Sequence, residues 1–146
     1  MDKKNKFLIK GITLINPNEK KKKVDVYIEG KKIVKIGTNL KRDCKIIEGY
    51  DKFLIPGLID IHIQGAGGTD FVNFEDENNI EKISSTIASF GTTSILATTI
   101  FFPFKKEQKH IEKIIKKAEK TNGAKILGIH FEGPYINKKR KGMIGK

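Results

Sequence analysis

From Leu58 to Gly133 the sequence alternates three short apolar segments with two longer segments of helical periodicity. The apolar segments are LIDIHI, TTSILATTIFF and AKILGIHFEG, with EDENNIEKISSTIASFG and KKEQKHIEKIIKKAEKTNG between them. Buried strands that alternate with helices are typical of α/β folds, in which right-handed crossovers join parallel strands. The pattern predicts a β-α-β-α-β series. Because a closed α/β barrel takes about 250 residues, we expect this series to be the beginning of a larger barrel.

Each helical segment carries apolar residues three or four positions apart, so that they share one face of the helix. The predicted buried residues are Ile80, Ile83, Ile87 and Phe90 in the first helix and Ile111, Ile114, Ile115 and Ala118 in the second. Acidic residues lie in the first turn of the first predicted helix and Gly91 ends it, as expected at helix ends. We expect both apolar faces to pack against the sheet.

The first 55 residues have a different pattern, in which short strand-like segments are separated by turn residues. The segments are KFLIKGITLI, VDVYIEGKKIVKIG and CKIIEGYDKFLIPG, and Glu29-Gly30 is the predicted hairpin turn. This pattern predicts a small antiparallel β unit. The lysine run from Lys20 to Lys23 is expected to be a solvated loop tip. We therefore divide the chain into two domains, 1–55 and 56–146.

The formal net charge of +12 comes from 27 lysines and only 2 arginines against 17 acidic residues. Arginine is preferred for bidentate contacts with phosphates and base edges, so we expect no nucleic-acid partner. The single cysteine, Cys44, excludes an internal disulfide framework and fits a reducing cytoplasm. The N-terminal apolar run is short and is interrupted by Lys10, so we expect a cytoplasmic protein without a membrane span.

Polar side chains stand at the carboxyl end of each predicted strand of the parallel sheet. They are His62 and Gln64 on the first strand, Thr98 and Thr99 on the second, and His130 and Glu132 on the third. Side chains alternate between the faces of a strand, so the two residues of the first pair share a face, as do those of the third. We expect these faces to converge on one site. Imidazole and carboxylate suit Zn²⁺ or Fe²⁺, whereas a carboxamide more often orients water or substrate.

Structural interpretations of the same residues remain open. A histidine in an apolar strand is often a hydrogen-bonded core residue, and Glu132 needs a partner of some kind if it is buried. Gly65, Gly67 and Gly68 are expected to form a tight turn, because no GxGxxG or Walker pattern accompanies them. His110, on the lysine-rich helix, is expected to be a solvated surface residue.

Three motifs, PGLIDIHIQGAGGTDF, GTTSILATT and GIHFEGPYINKKRKG, resemble in order and spacing the N-terminal segments of N-acetylglucosamine-6-phosphate deacetylases of the amidohydrolase superfamily. The likeness extends to about Gly142, and PGLID-H alone would indicate only the superfamily. The resemblance implies that residues from about Leu58 onward form the first three strands of a (β/α)8 TIM barrel. It also implies that the preceding residues form part of a small β-sandwich domain.

The resemblance also implies roles for individual residues. Glu132 in HFEGP matches the family's metal-binding glutamate. His62 and Gln64 match a pair that is His-x-His in two-metal members and contains an amide in single-metal members, so one or two divalent ions, Zn or Fe, remain open. His130 would lie beside the metal without binding it.

After KKRKG the family usually continues with a small residue and a substrate-contacting histidine, whereas here Gly142 is followed by Met143. These two positions are the candidate substrate contacts. The family reaction is hydrolysis of an acetamide, in which metal-activated water attacks the carbonyl and an aspartate relays a proton to the leaving amine. The products are glucosamine 6-phosphate and acetate.

The family's other two metal-binding histidines, its catalytic aspartate and its phosphate-binding residues would lie beyond Lys146. We therefore expect no catalytic residue within the chain, which would be a truncated and inactive fragment. An incomplete barrel would expose apolar faces and aggregate or pair with another chain. The expected small-molecule partner of the whole enzyme is an amino-sugar phosphate, and intact members of the family are often homo-oligomers.

Two other functions stay open at this point. One is another amidohydrolase, such as a dihydroorotase-like enzyme or an amino-acid deacetylase. These tend toward His-x-His after the first strand and a carboxylated lysine later, and HFEGPYIN argues against them. The other is a basic domain that binds nucleic acid or a protein partner, which steep salt-dependent retention on heparin or RNA would indicate.

Overall fold

The computed structural model describes residues 5–18, 21–73, 76–100 and 106–142. The chain divides into two compact units, 1–56 and 57–146. The protein is an α/β protein in which strands predominate, with ten strands and two helices among the described residues. Neither described helix has both the length and the apolar character that a membrane crossing requires.

The first unit contains one five-stranded sheet. Its strands are β1 (Lys6–Leu14), β2 (Lys22–Glu29), β3 (Lys32–Gly37), β4 (Lys45–Glu48) and β5 (Phe53–Leu54). The order is β3-β2-β1-β4, and β5 also pairs with β1. The hairpin of β2 and β3 turns at Gly30, as predicted, with φ at 58°. The prediction of an antiparallel unit is wrong in part, because β4 and β5 run parallel to β1.

The lysine run is not simply a loop tip. Lys20 lies outside the described residues, but Lys22 and Lys23 belong to β2 and pair with the end of β1. Behind this pairing Ile12, Leu14 and Val26 form the core of the first unit with Val24. The strands of this unit thus extend further into the lysine run than turn chemistry indicates.

Asp25 is the buried charge of the first unit, with 5% of its surface exposed. Its carboxylate accepts hydrogen bonds from Lys10 Nζ at 2.8 Å and from the backbone N–H groups of Gly11 and Leu40, both at 2.9 Å. Burial raises the pKa of Asp25, but these donors and the Lys10 charge lower it more, so the pKa lies below its ordinary value. Three contacts thus converge on one carboxylate.

The second unit contains the predicted β-α-β-α-β series. Its elements are β6 (Leu58–Ile63), β7 (Gly65–Ala66), β8 (Thr69–Asp70), α1 (Asn78–Ser89), β9 (Thr92–Ile100), α2 (Lys106–Ala118) and β10 (Lys125–Glu132). The sheet order is β10-β9-β6, and both pairings are parallel. The small β7–β8 hairpin turns at Gly67 and Gly68, both with positive φ, so the predicted tight turn is present.

The helices pack on the sheet through most of the predicted residues. Ile80, Ile83 and Ile114 are fully buried, together with Ile95 of β9. Two predicted core residues are exposed: Phe90 at 81% and Ile115 at 60%. Phe90 follows the last residue of α1, where the helical period no longer fixes the direction of the side chain. The prediction was wrong at these two positions.

Strand β6 is less buried than its apolar sequence predicts. Leu58, Ile59 and Ile61 are exposed to 50%, 60% and 67%. Among the described residues β6 pairs with β9 alone, which leaves its other edge unpaired. A strand covered on both faces buries such residues, so the exposure follows from the position of β6 at the edge of the sheet.

Candidate functional site

The carboxyl ends of β6 and β10 bring four of the predicted site residues together. Gln64 Nε2 donates a hydrogen bond to Glu132 Oε2 at 2.5 Å, and His62 Nε2 lies 3.9 Å from the same oxygen. The rings of His62 and His130 meet edge to face, with centroids 4.7 Å apart and planes at 70°. All four residues belong to the second unit. We call them the strand-end cluster.

A bulge in β10 sets the direction of its site residues. Ile126 pairs with Ile95, but Gly128 pairs with the next residue, Leu96, so that Leu127 is one residue more than β9 has to match. An extra residue in one strand reverses the alternation of all the residues after it. The bulge therefore divides β10 into two parts of opposite phase.

The effect on the core and the cluster is direct. Ile126 and Ile129, three residues apart, both pack in the core with the helices. His130 and Glu132 therefore point to the opposite side of the sheet, where the cluster lies. In an unbroken alternation they would share the face of Ile126 and point at the helices.

Strand β6 has a matching irregularity at the same level. Asp60 pairs with Ile95 and Ile63 with Ala97, so residues 61 and 62 together oppose one residue of β9. The Asp60 carboxylate accepts the backbone N–H of His62 at 2.9 Å within this stretch. Ile63 then returns to the core, while the His62 side chain stays at the cluster.

Regular alternation does not predict either bulge. Gly128 is a signal that sequence reasoning overlooked, because a glycine inside a strand pattern often marks a bulge. Thr98 is a second residue whose part was missed, although it stands at the end of a predicted strand. It is fully buried, and its hydroxyl lies 3.2 Å from His130 Nδ1.

The cluster is open to solvent and offers few metal donors. The side chain of His62 is 53% exposed and that of Glu132 is 30% exposed. Within the described ranges no group of three or more His, Cys, Asp or Glu side chains is arranged to hold a metal ion. One imidazole and one carboxylate fit the donor chemistry of Zn²⁺ or Fe²⁺, but a catalytic zinc site has three protein ligands. These residues alone therefore do not complete such a site.

His110 is not the solvated residue that its lysine-rich helix predicts, since it is half-buried. Burial lowers the pKa of His110, and although the Asp70 carboxylate raises it, the net pKa is below its ordinary value of 6.5. Asp70 belongs to β8, which is distant in sequence. The helix thus carries a neutral imidazole among its many lysines at neutral pH.

The two predicted substrate contacts are not part of the cluster as described. Gly142 is exposed, with φ at 57°, and is the last described residue. Met143 lies outside the described residues. Their role stays a prediction.

Two curated relatives of the chain carry the same name. A curated N-acetylglucosamine-6-phosphate deacetylase from Lysinibacillus sphaericus is 34% identical over 140 residues, and one from Bacillus subtilis is 37% identical over 147 residues. Both alignments cover 93% of this chain, but they cover 35% and 36% of the relatives. The chain thus spans about a third of the length of the curated relatives it matches. No family model matches it.

Solved structures of two deacetylases also resemble the chain. A deacetylase of this name from Thermotoga maritima has a TM-score of 0.70 and 31% identity, over 92% of this chain and 34% of that one. Another from Pasteurella multocida shares the fold, with a TM-score of 0.81 and 23% identity over 92% of this chain and 36% of the other. By sequence and by fold the chain therefore belongs with the N-acetylglucosamine-6-phosphate deacetylases, a family of hydrolases, which confirms the resemblance of its motifs.

Proposed function

We propose that the chain supplies the strand-end part of a metal-dependent site that deacetylates N-acetylglucosamine 6-phosphate to glucosamine 6-phosphate and acetate. The observation that carries the proposal is the meeting of His62, Gln64 and Glu132 at the ends of two parallel strands, in a chain related to deacetylases of that name. In this proposal the second unit is the first part of a (β/α)8 barrel, and the first unit is part of a β-sandwich.

Glu132 and His62 are the residues that would hold the divalent metal, zinc or iron. Such an ion, when bound, activates water and polarises a carbonyl. Gln64 has a different role, because its amide nitrogen already donates to Glu132 Oε2. It holds one carboxylate oxygen in place and leaves the other for a further partner. His130 contacts the ring of His62 edge to face and so limits its orientation.

Further residues must complete the site, since one carboxylate and one imidazole are fewer than three protein ligands. We propose that a barrel completed by further strands supplies the other ligands, the proton-relaying aspartate and the phosphate contacts. The chain by itself is then inactive. We also propose that the substrate of the whole enzyme is an amino-sugar phosphate and that the enzyme acts in the cytoplasm.

A chimera tests the proposal at the level of the whole enzyme. This chain replaces the third of the Bacillus subtilis relative that aligns with it, at 37% identity. We expect the chimera to release acetate from N-acetylglucosamine 6-phosphate, and Glu132→Gln in the chimera to abolish the release. Glu112→Gln, on the exposed side of α2, is the matched control and leaves activity unchanged.

Two results would contradict the proposal. A folded chimera without activity would mean that these strand ends no longer form a deacetylase site. Release of acetate by the 146-residue chain alone, lost in Glu132→Gln, would mean that the chain does not need further strands.

A further inference from the structure

Thr98 connects all three strands of the parallel sheet through one hydroxyl group. The residue lies in β9, the central strand, and is fully buried. Its Oγ1 is 3.0 Å from the backbone nitrogen of Ile63 in β6 and 3.2 Å from Nδ1 of His130 in β10. The carbonyl oxygen of Leu96, in the same strand, is 3.5 Å away. The hydroxyl thus lies directly beneath the strand-end cluster.

The hydrogen-bond inventory of a hydroxyl decides the direction of these contacts. A threonine has one proton to donate and two lone pairs to accept. The backbone N–H of Ile63 can only donate, so it uses one lone pair. The proton of a fully buried hydroxyl needs an acceptor, because an unsatisfied buried donor is costly.

Two acceptors lie near that proton. His130 Nδ1, at 3.2 Å, is the nearer acceptor, and the Leu96 carbonyl oxygen, at 3.5 Å, is the more distant one. If Nδ1 carried the hydrogen instead, it would donate to Thr98, and the hydroxyl proton would be left with the distant carbonyl. The shorter distance favours a bond in which the hydroxyl proton is donated to Nδ1.

We propose that Thr98 is the positioning residue of the cluster, whose hydroxyl donates to Nδ1 of His130 and so fixes that ring with its hydrogen on Nε2. The inference deepens the proposed function and rests on it for its role in an enzyme. Because the His130 ring packs edge to face with His62, the orientation of one ring limits the other. His62 in turn lies 3.9 Å from Glu132 Oε2.

The assignment separates the chemistry of the two imidazoles. In this assignment Nδ1 of His130 accepts from the hydroxyl and Nε2 carries the hydrogen, so the ring has no free nitrogen lone pair with which to bind a metal. His62 has no such partner on its ring among the described contacts besides Glu132. In the cluster His62 would then bind the metal, and His130 would be a hydrogen-bond donor.

Nitrogen NMR of the metal-free 146-residue chain tests the assignment. The chain has three histidines, so ¹⁵N-histidine labelling gives three ring systems, which His62→Gln and His110→Gln assign. At about pH 8.5, well above the ordinary pKa of histidine, neutral tautomers are read directly. We expect the ¹⁵N chemical shift of His130 Nε2 to be that of a protonated ring nitrogen. The shift of Nδ1 should be that of an unprotonated nitrogen, displaced because it accepts a hydrogen bond. A protonated Nδ1 would overturn the proposal.

Two variants of Thr98 separate positioning from packing. Thr98→Val keeps the shape and removes the hydroxyl, so we expect the Nδ1 shift to lose its hydrogen-bond displacement and the ring contact of His62 with His130 to weaken in NOE spectra. Thr98→Ser keeps the hydroxyl and should retain the wild-type pattern. An unchanged Nδ1 shift in Thr98→Val, or loss of the pattern in Thr98→Ser with the fold intact, would contradict it.

The readout is independent of the proposed function. It uses neither metal nor substrate, so an inactive chimera leaves the tautomer result standing. Conversely, an active chimera together with a protonated Nδ1 would contradict the proposed role of Thr98 but not the proposed function. If Thr98→Val does not fold, the wild-type shifts and the Thr98→Ser comparison still decide.

Discussion

The side-chain amide of Gln64 donates a hydrogen bond to the carboxylate of Glu132, although 68 residues separate them in sequence. The bond joins the ends of β6 and β10, which lie on either side of β9. It orients the amide with its nitrogen toward the carboxylate, so the amide oxygen points elsewhere. Both partners of this bond belong to the second unit.

Replacement of that amide by a carboxylate should strengthen metal binding. Gln64→Glu places a second carboxylate beside Glu132 and His62, so three possible metal donors lie close together. The two carboxylates repel each other, and a bound cation relieves that repulsion. We expect tighter Zn²⁺ binding in competition with a chelating dye at neutral pH, whereas the matched Gln64→Leu variant does not gain affinity. Equal affinities in all three chains would show that the metal, if bound, lies elsewhere.

Loss of the Asp25 charge should destabilise the first unit. Asp25→Asn removes the ionic partner of Lys10 and leaves an amide among three donors. Because Lys10 retains 26% exposure, we expect the lower end of the range for breaking a buried pair, about 3 kcal/mol, in urea unfolding. Asp51→Asn, an exposed aspartate of the same unit, is the control and should cost little.

The same carboxylate predicts a pH dependence. Its folded-state pKa is depressed, so its contribution to stability is present above the ordinary value of 3.8 and is lost as pH falls through the folded-state pKa. The wild-type midpoint in urea should therefore drop below about pH 4, and Asp25→Asn should show a smaller drop. Parallel curves for the two chains would refute this.

A methyl group added at Gly123 should disrupt the second unit, whereas one added at Gly128 should not. A Cβ at Gly123 would lie 2.4 Å from the backbone carbon and oxygen of Ser84 in α1, which cannot move without the helix. At Gly128 the nearest atom is Leu96 Cδ2, at an ordinary 3.5 Å. We expect Gly123→Ala to lower the free energy of unfolding by about 3 kcal/mol and Gly128→Ala by much less. Similar losses of stability in the two variants would show that the backbone around Gly123 shifts to accommodate the methyl group.

Acid should weaken the packing around His110 before it affects Asp25. The pKa of His110 is lowered by burial, so its unfolded form binds protons more readily, and stability falls as pH drops below 6.5 through the folded-state pKa. Thermal melts between about pH 8 and pH 5 should show a decline that His110→Gln reduces. A decline of equal size in the variant would assign it to other groups.

The exposed edge of the sheet should make the chain associate. Ile59 and Ile61, at 60% and 67% exposure, lie on β6, whose outer edge is unpaired among the described residues. We expect concentration-dependent association in sedimentation velocity, reduced by Ile59→Lys with Ile61→Lys. Ser85→Lys with Ser89→Lys, two exposed positions on α1, adds the same charge as a control. A monodisperse monomer at micromolar concentration would contradict the expectation.

The helices and the parallel sheet follow from the sequence because their signals are local and periodic. Ile80, Ile83 and Ile87 repeat at the helical period along a segment long enough to fix a face, and all three are buried. Phe90 continues the numerical pattern, but the helix ends at Ser89, so the period no longer applies to it. The parallel pairing of β4 with β1 depends on a contact across the unit and has no local signal.

The sequence predicts that four strand-end residues meet, but not the bulges that turn them to the same side of the sheet. Period-two alternation places His130 and Glu132 on one face, and this survives because both follow the bulge. The side of the sheet they face depends on that bulge, which only Gly128 indicates. The half-burial of His110 likewise depends on contacts outside its own helix. The lysines around it in the sequence therefore gave a wrong prediction of its exposure.

The bulge at Leu127 makes chain length, and not side-chain identity, the critical property of that position. Leu127 is 51% exposed, so its replacement by a polar residue removes little buried surface. Its deletion would reverse the alternation of the residues that follow. His130 and Glu132 would then point into the hydrophobic core, and Ile129 would point away from it. Substitutions alone would therefore show Leu127 as a tolerant position, whereas the loss of this one residue would exchange the core-facing and the cluster-facing side chains of the rest of the strand.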